Sequence, residues 1–448
     1  KKYTSLQVLE SWIKQYGKVF GYYAGETPYI VIADVELIKR CFVRESQIAY
    51  DRPLPFVDVE PGTSSLISLA GQFWKNIRAQ LNPIFTPAKM KMLTPIVSHC
   101  AAKMMEVLDD AVTKEGIVDM DRVARGFSMD VITKSSLAWQ VDCQTNTDNP
   151  FVARAKKIFE GSDSADVIYA IRFPILRSVL AWLSPFLGYF NVAKEISRDV
   201  GRIIELRRKG ERPRTTDMLQ MMLEAQEGLQ DAATGPGAQA KAMEDRHIVS
   251  NCVIFVVAGF HTTALSLALV VHMLARHPEE QERVFNELEE ALPDEGDLTY
   301  DVVQGLKRLD MVVCETLRLY PPVVLFLSRY CHADTTVGGH FFPAGANVVL
   351  PTWHIHHNPE LWPDPFKFDP ERFVNGANAH SAYFPFGIGP RMCIGKRFAL
   401  LEIKMAVCSL MRKYRIFQCD ETQEHVKFHA MPTVLKLENG IYVRLQRR

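Results

Sequence analysis

A single cysteine, Cys393, lies in the stretch FGIGPRMCIG (386–395) with three glycines, a proline and an arginine for company. A cysteine that only fills a core or a tight turn is a small apolar side chain and needs no such surroundings. Here a helix is expected to begin at about Ile394, which would set the sulfur at a helix N-terminus. The dipole and unpaired N–H groups there stabilise a thiolate. Gly387 and Gly389 permit positive φ, so backbone amides can turn toward the sulfur. Gly395 removes a side chain where a flat partner would approach, and Arg391 can pair with an anion. The chemistry implied is thiolate ligation of a soft metal centre that carries acidic groups.

Other residues gain meaning only beside that loop. In AGFHTT (258–263), Gly259 sits inside a long apolar run, where glycine costs about 1 kcal/mol against alanine. Close approach of a planar group would justify it; a kink or small-residue packing is the plainer reason. Thr262 is four residues after Ala258 and can bond its carbonyl, opening the helix locally. ETLR places Glu315 and Arg318 one turn apart, and WKNIR does the same for Trp74 and Arg78. Taken singly, such pairs are ordinary features of a helix surface. PERF adds Arg372 and LSRYC adds Arg329, while Arg52 in YDRP is a weaker candidate.

These residues must be held by a mainly helical scaffold. KVFGYYAGETPYIVIA (18–33) reads as a β-hairpin, because two aromatic or β-branched runs flank a Gly/Pro turn. Asp34 then reads as the N-cap of a helix. Helical periodicity dominates from about Thr94 to Leu319, broken at DSADV, at the Gly/Ala-rich 229–240 and at ALPDEGDLT. After Pro321, PPVVLFLSRYC, TTVGGHFFPAGANVVL and PTWHIHHNP predict short strands and turns. A coil leads to the cysteine loop, a last long helix covers 394–414, and short strands fill 426–443. The uncharged window 248–275 could span a bilayer by length. Ser250, Asn251, His261, Thr262, Thr263 and Ser266 are spread through it, so a buried core helix is expected instead.

The 448 residues contain 52 Lys plus Arg against 52 Asp plus Glu. That balance argues against nucleic acid as a partner recruited by bulk charge. Nine cysteines at irregular spacing, without a C-x-x-C pair, disfavour a disulfide framework or a zinc site and fit a reducing compartment. No clean linker divides the chain, so one domain over 1–448 is expected. VIYAIRFPILRSVLAWLSPFLGYF (167–190) is strongly apolar and is expected to dip into a membrane surface; a lid over the site is the alternative.

Phe386, Gly389, Arg391, Cys393 and Gly395 together form F-x-x-G-x-R-x-C-x-G, which resembles the heme-thiolate signature of the cytochromes P450. E-x-x-R, the later arginine motif and W-x-x-x-R occur in family order, so the resemblance covers nearly the whole chain. SMDVITKSSL is a further echo of the animal microsomal branch, which includes hepatic drug-metabolising enzymes and thromboxane synthase. The resemblance implies a prism-shaped, mainly α fold with small β-sheets, and heme b buried between the long central helix and the cysteine-loop helix. It makes Cys393 the axial ligand of the heme iron. It makes Trp74, Arg78, Arg329 and Arg391 partners of the heme carboxylates, and sets Ala258, Gly259, Phe386 and Gly395 against the cofactor. Glu315, Arg318 and Arg372 become an ion-pair network behind the loop.

The implied activity is insertion of one oxygen atom from O2 into an apolar substrate such as a steroid, fatty acid or xenobiotic. Electrons would come from NADPH through an NADPH–cytochrome reductase, with cytochrome b5 a further candidate partner and Lys75, Lys396 and Arg397 as docking charges. Phe56, Leu66, Phe255, Phe260, Val324 and Phe326 are candidates for the substrate pocket. The implied location is the cytosolic face of the endoplasmic reticulum membrane, and the N-terminal anchor helix of such enzymes is not seen in this sequence. One departure stands out. The family usually has an acid directly before the threonine, and together the two deliver protons to bound dioxygen. This chain has His261 there, either a proton relay or a packed core histidine. Two other readings stay open: an isomerase or dehydratase that rearranges a peroxide without external electrons, and a heme sensor or carrier without catalysis.

Overall fold

Caps, prolines and apolar stripes decide where each helix starts and stops. The computed structural model describes residues 5–45, 48, 50–53, 60–113, 116–146, 179, 182–183, 188–211, 215–231, 243–293, 296–325, 327–430 and 434–448. The helices are α1 (Ser5–Tyr16), α2 (Val35–Lys39), α3 (Gly71–Leu81), α4 (Pro87–Val112), α5 (Met120–Leu137), α6 (Gly188–Arg208) and α7 (Met218–Asp231). They continue with α8 (Asp245–Arg276), α9 (Pro278–Ala291), α10 (Tyr300–Gly305), α11 (Lys307–Leu319), α12 (Thr352–His356) and α13 (Lys396–Lys413). Asp34 caps α2 by accepting the Leu37 N–H at 2.7 Å, as expected. Pro87 and Pro278 open α4 and α9 at positions whose N–H would have no partner anyway.

The strands are short and peripheral. β1 (Val19–Ala24) and β2 (Thr27–Ile32) form the expected hairpin. β3 spans Ile117–Asp119, β4 Ser328–Tyr330, β5 Thr335–Val337, β6 His340–Phe342 and β7 Asn347–Val349. β8 (Tyr414–Phe417), β9 (Phe428–Ala430), β10 (Leu435–Leu437) and β11 (Tyr442–Arg447) follow. The largest sheet has the order β1-β2-β7-β4, in which only the β2–β7 pair is parallel. A second sheet runs β3-β11-β8, and β5/β6 and β9/β10 are antiparallel pairs.

Two differences from the sequence reading have simple causes. Thr352–His356 forms a turn of helix rather than strand, because Pro351 precedes it and Trp353 and His357 stack one turn apart at 4.3 Å. The last long helix starts at Lys396, since Cys393 to Gly395 still belong to the turn.

α8 is the axis of the main core. It packs along α5 and also meets α6, α11 and α13. Among the described residues it is the helix long and apolar enough to cross a membrane, yet 72% of its most apolar window is buried inside the protein. Several of its polar side chains are spent on its own turns, as Thr262 on Ala258 and Ser266 on Thr262 show. A second apolar cluster joins the β1-β2-β7-β4 sheet to Trp362, Phe373 and Phe384. α11 lies between the two clusters, contributing Leu309, Val312 and Leu317 to one and Met311 and Cys314 to the other.

Candidate active site

The cysteine loop is a backbone device. Gly387 and Gly389 have φ of 74° and 75°, and the Cys393 N–H closes the turn on the Phe386 carbonyl at 2.9 Å. At Gly389 a Cβ would stand 2.1 Å from the Phe42 carbonyl oxygen, so no larger residue fits. At Gly395 the nearest atom to such a Cβ is 3.9 Å away, on the Phe85 ring. Cys393 is exposed, in contrast to the other free cysteines, which are buried apart from the half-buried Cys419. That exposure is toward a cavity. Burial pushes its thiol up, while the Gly395 N–H, Arg78, Arg52 and Lys396 pull it back toward the thiolate.

This cavity holds about 1370 Å³ free of protein atoms, part of it continuous with solvent. Cys393, Phe386, Gly395 and Phe398 form one side, and Ala258, Gly259, Thr262 and Ser266 of α8 another. Trp74, Arg78, Arg52 and Arg391 also line it. The α8 face is a helical stripe in which residues 254, 255, 258, 259, 262, 263 and 266 line the cavity. Thr262 Oγ1 donates to the Ala258 carbonyl at 2.7 Å, the back-bond expected of it. Gly259 lines the cavity and also serves helix packing, since a Cβ there would crowd the Ile132 side chain of α5 at 3.0 Å.

The arginines crowd one another. Burial lowers Arg391 to about 9, with Arg52 adding to the shift, and lowers Arg52 to about 10, with Arg78 adding to it. Arg391 lies over the Trp74 ring at 4.1 Å and donates to the Leu66 carbonyl at 3.0 Å and to Asp51 at 3.3 Å. Arg78 donates to the Met392 carbonyl at 2.9 Å, beside the cysteine. Arg329 is buried in β4, bonded to the Ser328 and Ile388 carbonyls, and does not line the cavity. Trp74 Nε1 is buried with no acceptor.

An iron porphyrin fits these observations. A sulfur donor faces the space, the nearest glycine leaves room beside it, and the cations and the orphaned indole N–H suit carboxylate groups. Behind the loop, Arg318 bonds both Glu315 oxygens at 2.7 and 2.9 Å, and Arg372 Nε stands 3.4 Å from the same carboxylate. Arg318 also donates to the His356 and Pro365 carbonyls, tying α11 to the segment that leads into the loop.

His261 points elsewhere. It flanks the α8 stripe without lining the cavity, and its Nε2 lies 3.0 Å from the Leu435 carbonyl oxygen of β10. Burial lowers it to about 4, so the ring is neutral near pH 7. Leu66 and Phe255 line the cavity. Phe260 and Val324 are buried in the main core and do not, since Phe260 leaves α8 about 200° away from Ala258. Phe56 and Phe326 lie outside the described residues, as does most of 167–190. Sequence reasoning missed Phe85, which meets Phe255 edge to face at 5.5 Å, and Ser266 as a lining residue. The four-residue spacing from Thr262 to Ser266 was the available signal.

The family model of cytochrome P450 matches residues 3–445. Lithocholate 6-beta-hydroxylase of Mesocricetus auratus is 34% identical over 440 residues, covering 97% of this chain and 86% of the relative. Cytochrome P450 3A11 of Mus musculus is 34% identical over 435 residues, covering 95% and 85% respectively. Cytochrome P450 3A7 of Homo sapiens is 34% identical over 437 residues, covering 95% and 86%.

Proposed function

We propose that this chain, which belongs to the cytochrome P450 family and is a heme-dependent monooxygenase, oxidises bulky apolar molecules of the steroid or xenobiotic kind with electrons from NADPH through a reductase. The observation that carries this reading is the cavity in which Cys393 faces the back-bonded Thr262 stripe with apolar walls between. The printed activity of the hamster relative, hydroxylation of lithocholate, supports a steroid-sized substrate.

The residues divide the work. Cys393 would hold the heme iron, and Trp74, Arg78, Arg391 and Arg52 would hold the carboxylates. Thiolate-held heme supplies dioxygen activation, since the sulfur's electron density favours O–O cleavage. Thr262 keeps a hydroxyl on the opposite wall, with its own proton on the Ala258 carbonyl, so its oxygen can accept a hydrogen bond from a water. Leu66, Phe85, Phe255 and Val323 exclude bulk water and orient an apolar substrate. Overall, substrate C–H, O2, NADPH and a proton give the alcohol, water and NADP+.

Lys75 and Arg397 are exposed near the cysteine loop and suit an acidic reductase surface; cytochrome b5 would suit the same charges. Trp182, 75% exposed, and Val179, 50% exposed, support contact of the 167–190 stretch with a membrane, and with it a place on the cytosolic face of the endoplasmic reticulum. The test is reconstitution with a microsomal reductase and lithocholate. NADPH and O2 consumption with formation of a hydroxylated product is the expected result. Turnover of a lipid hydroperoxide with neither NADPH nor O2 would contradict it.

A further inference from the structure

His261 connects two walls of the site. Its partner is a carbonyl, which can only accept, so Nε2 carries the proton and donates to Leu435 O at 3.0 Å. The Leu435 N–H in turn donates to the Pro322 carbonyl at 2.8 Å. Next to it, Val434 forms an isolated antiparallel bridge with Val323. Pro322 and Val323 line the cavity. The chain of contacts therefore runs from α8, one residue before Thr262, through β10 to the wall that faces a substrate. The other end of that wall is fixed separately, because the Leu350 N–H donates to the Leu327 carbonyl at 2.9 Å and Leu327 also lines the cavity. β10 itself is three residues long and pairs only with β9 among the described strands. Such a two-stranded ribbon is marginal on its own; the buried Leu435 and Leu437 side chains hold it to the main core, and the imidazole fixes its backbone against α8.

We propose that His261 is a positioning residue that sets the distance between the Thr262 face of α8 and the Pro322–Val323 wall, and so determines which bulky substrates fit. The proposal rests on the heme-monooxygenase reading for its meaning, but its test does not need turnover. The neutral ring belongs with this role: it keeps one proton for one carbonyl and sits outside the cavity lining. The residue acts through β10 and touches neither the cofactor's place nor the cavity.

The experiment compares wild type, His261→Leu and His261→Gln as heme-loaded protein, each shown to keep the red-shifted band of its reduced carbon-monoxide complex. Two azoles are titrated by their spectral shift: imidazole, too small to reach the wall, and clotrimazole, a triaryl imidazole that must press on it. Loss of one buried hydrogen bond is worth about 1.4 kcal/mol, or a tenfold change in affinity. His261→Leu should therefore weaken clotrimazole about tenfold, with imidazole changed less than about twofold. His261→Gln, whose side-chain amide can reach the same carbonyl, should restore most of the loss. Hydrogen exchange over 434–437 should quicken in His261→Leu and return toward wild type in His261→Gln. The exchange readout stands even where azole binding is disturbed for another reason. Clotrimazole affinity and exchange both unchanged in His261→Leu would overturn the proposal, as would a His261→Gln variant that fails equally. A relay role gives a third pattern that also overturns it: unchanged azole binding with an altered solvent deuterium effect on NADPH oxidation. Failure of the monooxygenase reading shows separately, as absent NADPH-driven turnover in wild type.

Discussion

Arg318 Nε and Nη2 reach the two oxygens of Glu315 at 2.7 and 2.9 Å, and both side chains are wholly excluded from solvent. Burial pushes the Glu315 carboxyl up against the pull of Arg318, so the pair is held by geometry and by the carbonyls around it rather than by a cheap Coulombic gain. Its value is spatial, for it fixes α11 against the segment entering the cysteine loop.

Arg318→Ala should accordingly strip the buried Glu315 carboxylate of its two shortest bonds, leaving only Arg372 and the Asp369 N–H beside it, a loss of about 3–5 kcal/mol. Little soluble heme-loaded protein is expected, with a depressed melting temperature in what remains. A variant that melts and loads heme like wild type would remove the network from the account.

Gly389→Ala should fail for a backbone reason. A positive φ costs about 1–2 kcal/mol for an L-residue, and here the added carbon would also overlap the Phe42 carbonyl. The expected outcome is a weak or absent heme absorption band in a chain that keeps its helical circular dichroism. Gly395→Ala, which would meet only the Phe85 ring at an ordinary contact distance of 3.9 Å, should fold and disturb only the heme environment.

How far could these parts be read from the sequence? The cysteine loop was legible because its constraints are local: two positive-φ glycines, a turn and a helix start leave a pattern within ten residues. The Thr262 back-bond was legible for the same reason, as a four-residue spacing on one helix. Tertiary facts were not. Gly259 answers to Ile132, more than a hundred residues away, and His261 answers to Leu435. A pattern along one helix shows which side chains share a face but not what that face meets. Phe260 and Phe255 look alike in the sequence, yet one packs in the core and the other faces the cavity.

Trp74→Phe tests the carboxylate-binding edge. The mutation removes the orphaned N–H while keeping an aromatic surface under Arg391. A hydrogen bond to a charged group contributes about 1.5–3 kcal/mol, so heme transfer to an acceptor such as apomyoglobin should quicken by about ten- to a hundredfold. An unchanged transfer rate would show that the indole N–H makes no such bond.

Stability should fall on mild acidification. Burial lowers both His261 and His272 to about 4 in the folded protein, against about 6.5 in the unfolded chain. Between those values the unfolded state binds more protons, so stability is lost as pH drops from about 6.5 toward 4 and is unaffected by these groups above it. His272 is buried with Nε2 unpartnered, so His272→Leu should shrink the drop in melting temperature between pH 7 and pH 5. An unaltered drop would assign the acid sensitivity to other groups.

The central claim is that the Cys393 sulfur holds the heme iron. The most direct test is the absorption spectrum of the reduced, carbon-monoxide-treated protein in wild type and Cys393→Ser. Wild type should show the strongly red-shifted band of thiolate ligation, and the variant should lose it while retaining wild-type helical content. A wild-type band at the position typical of histidine-ligated heme, or an unchanged band in Cys393→Ser, would contradict the account.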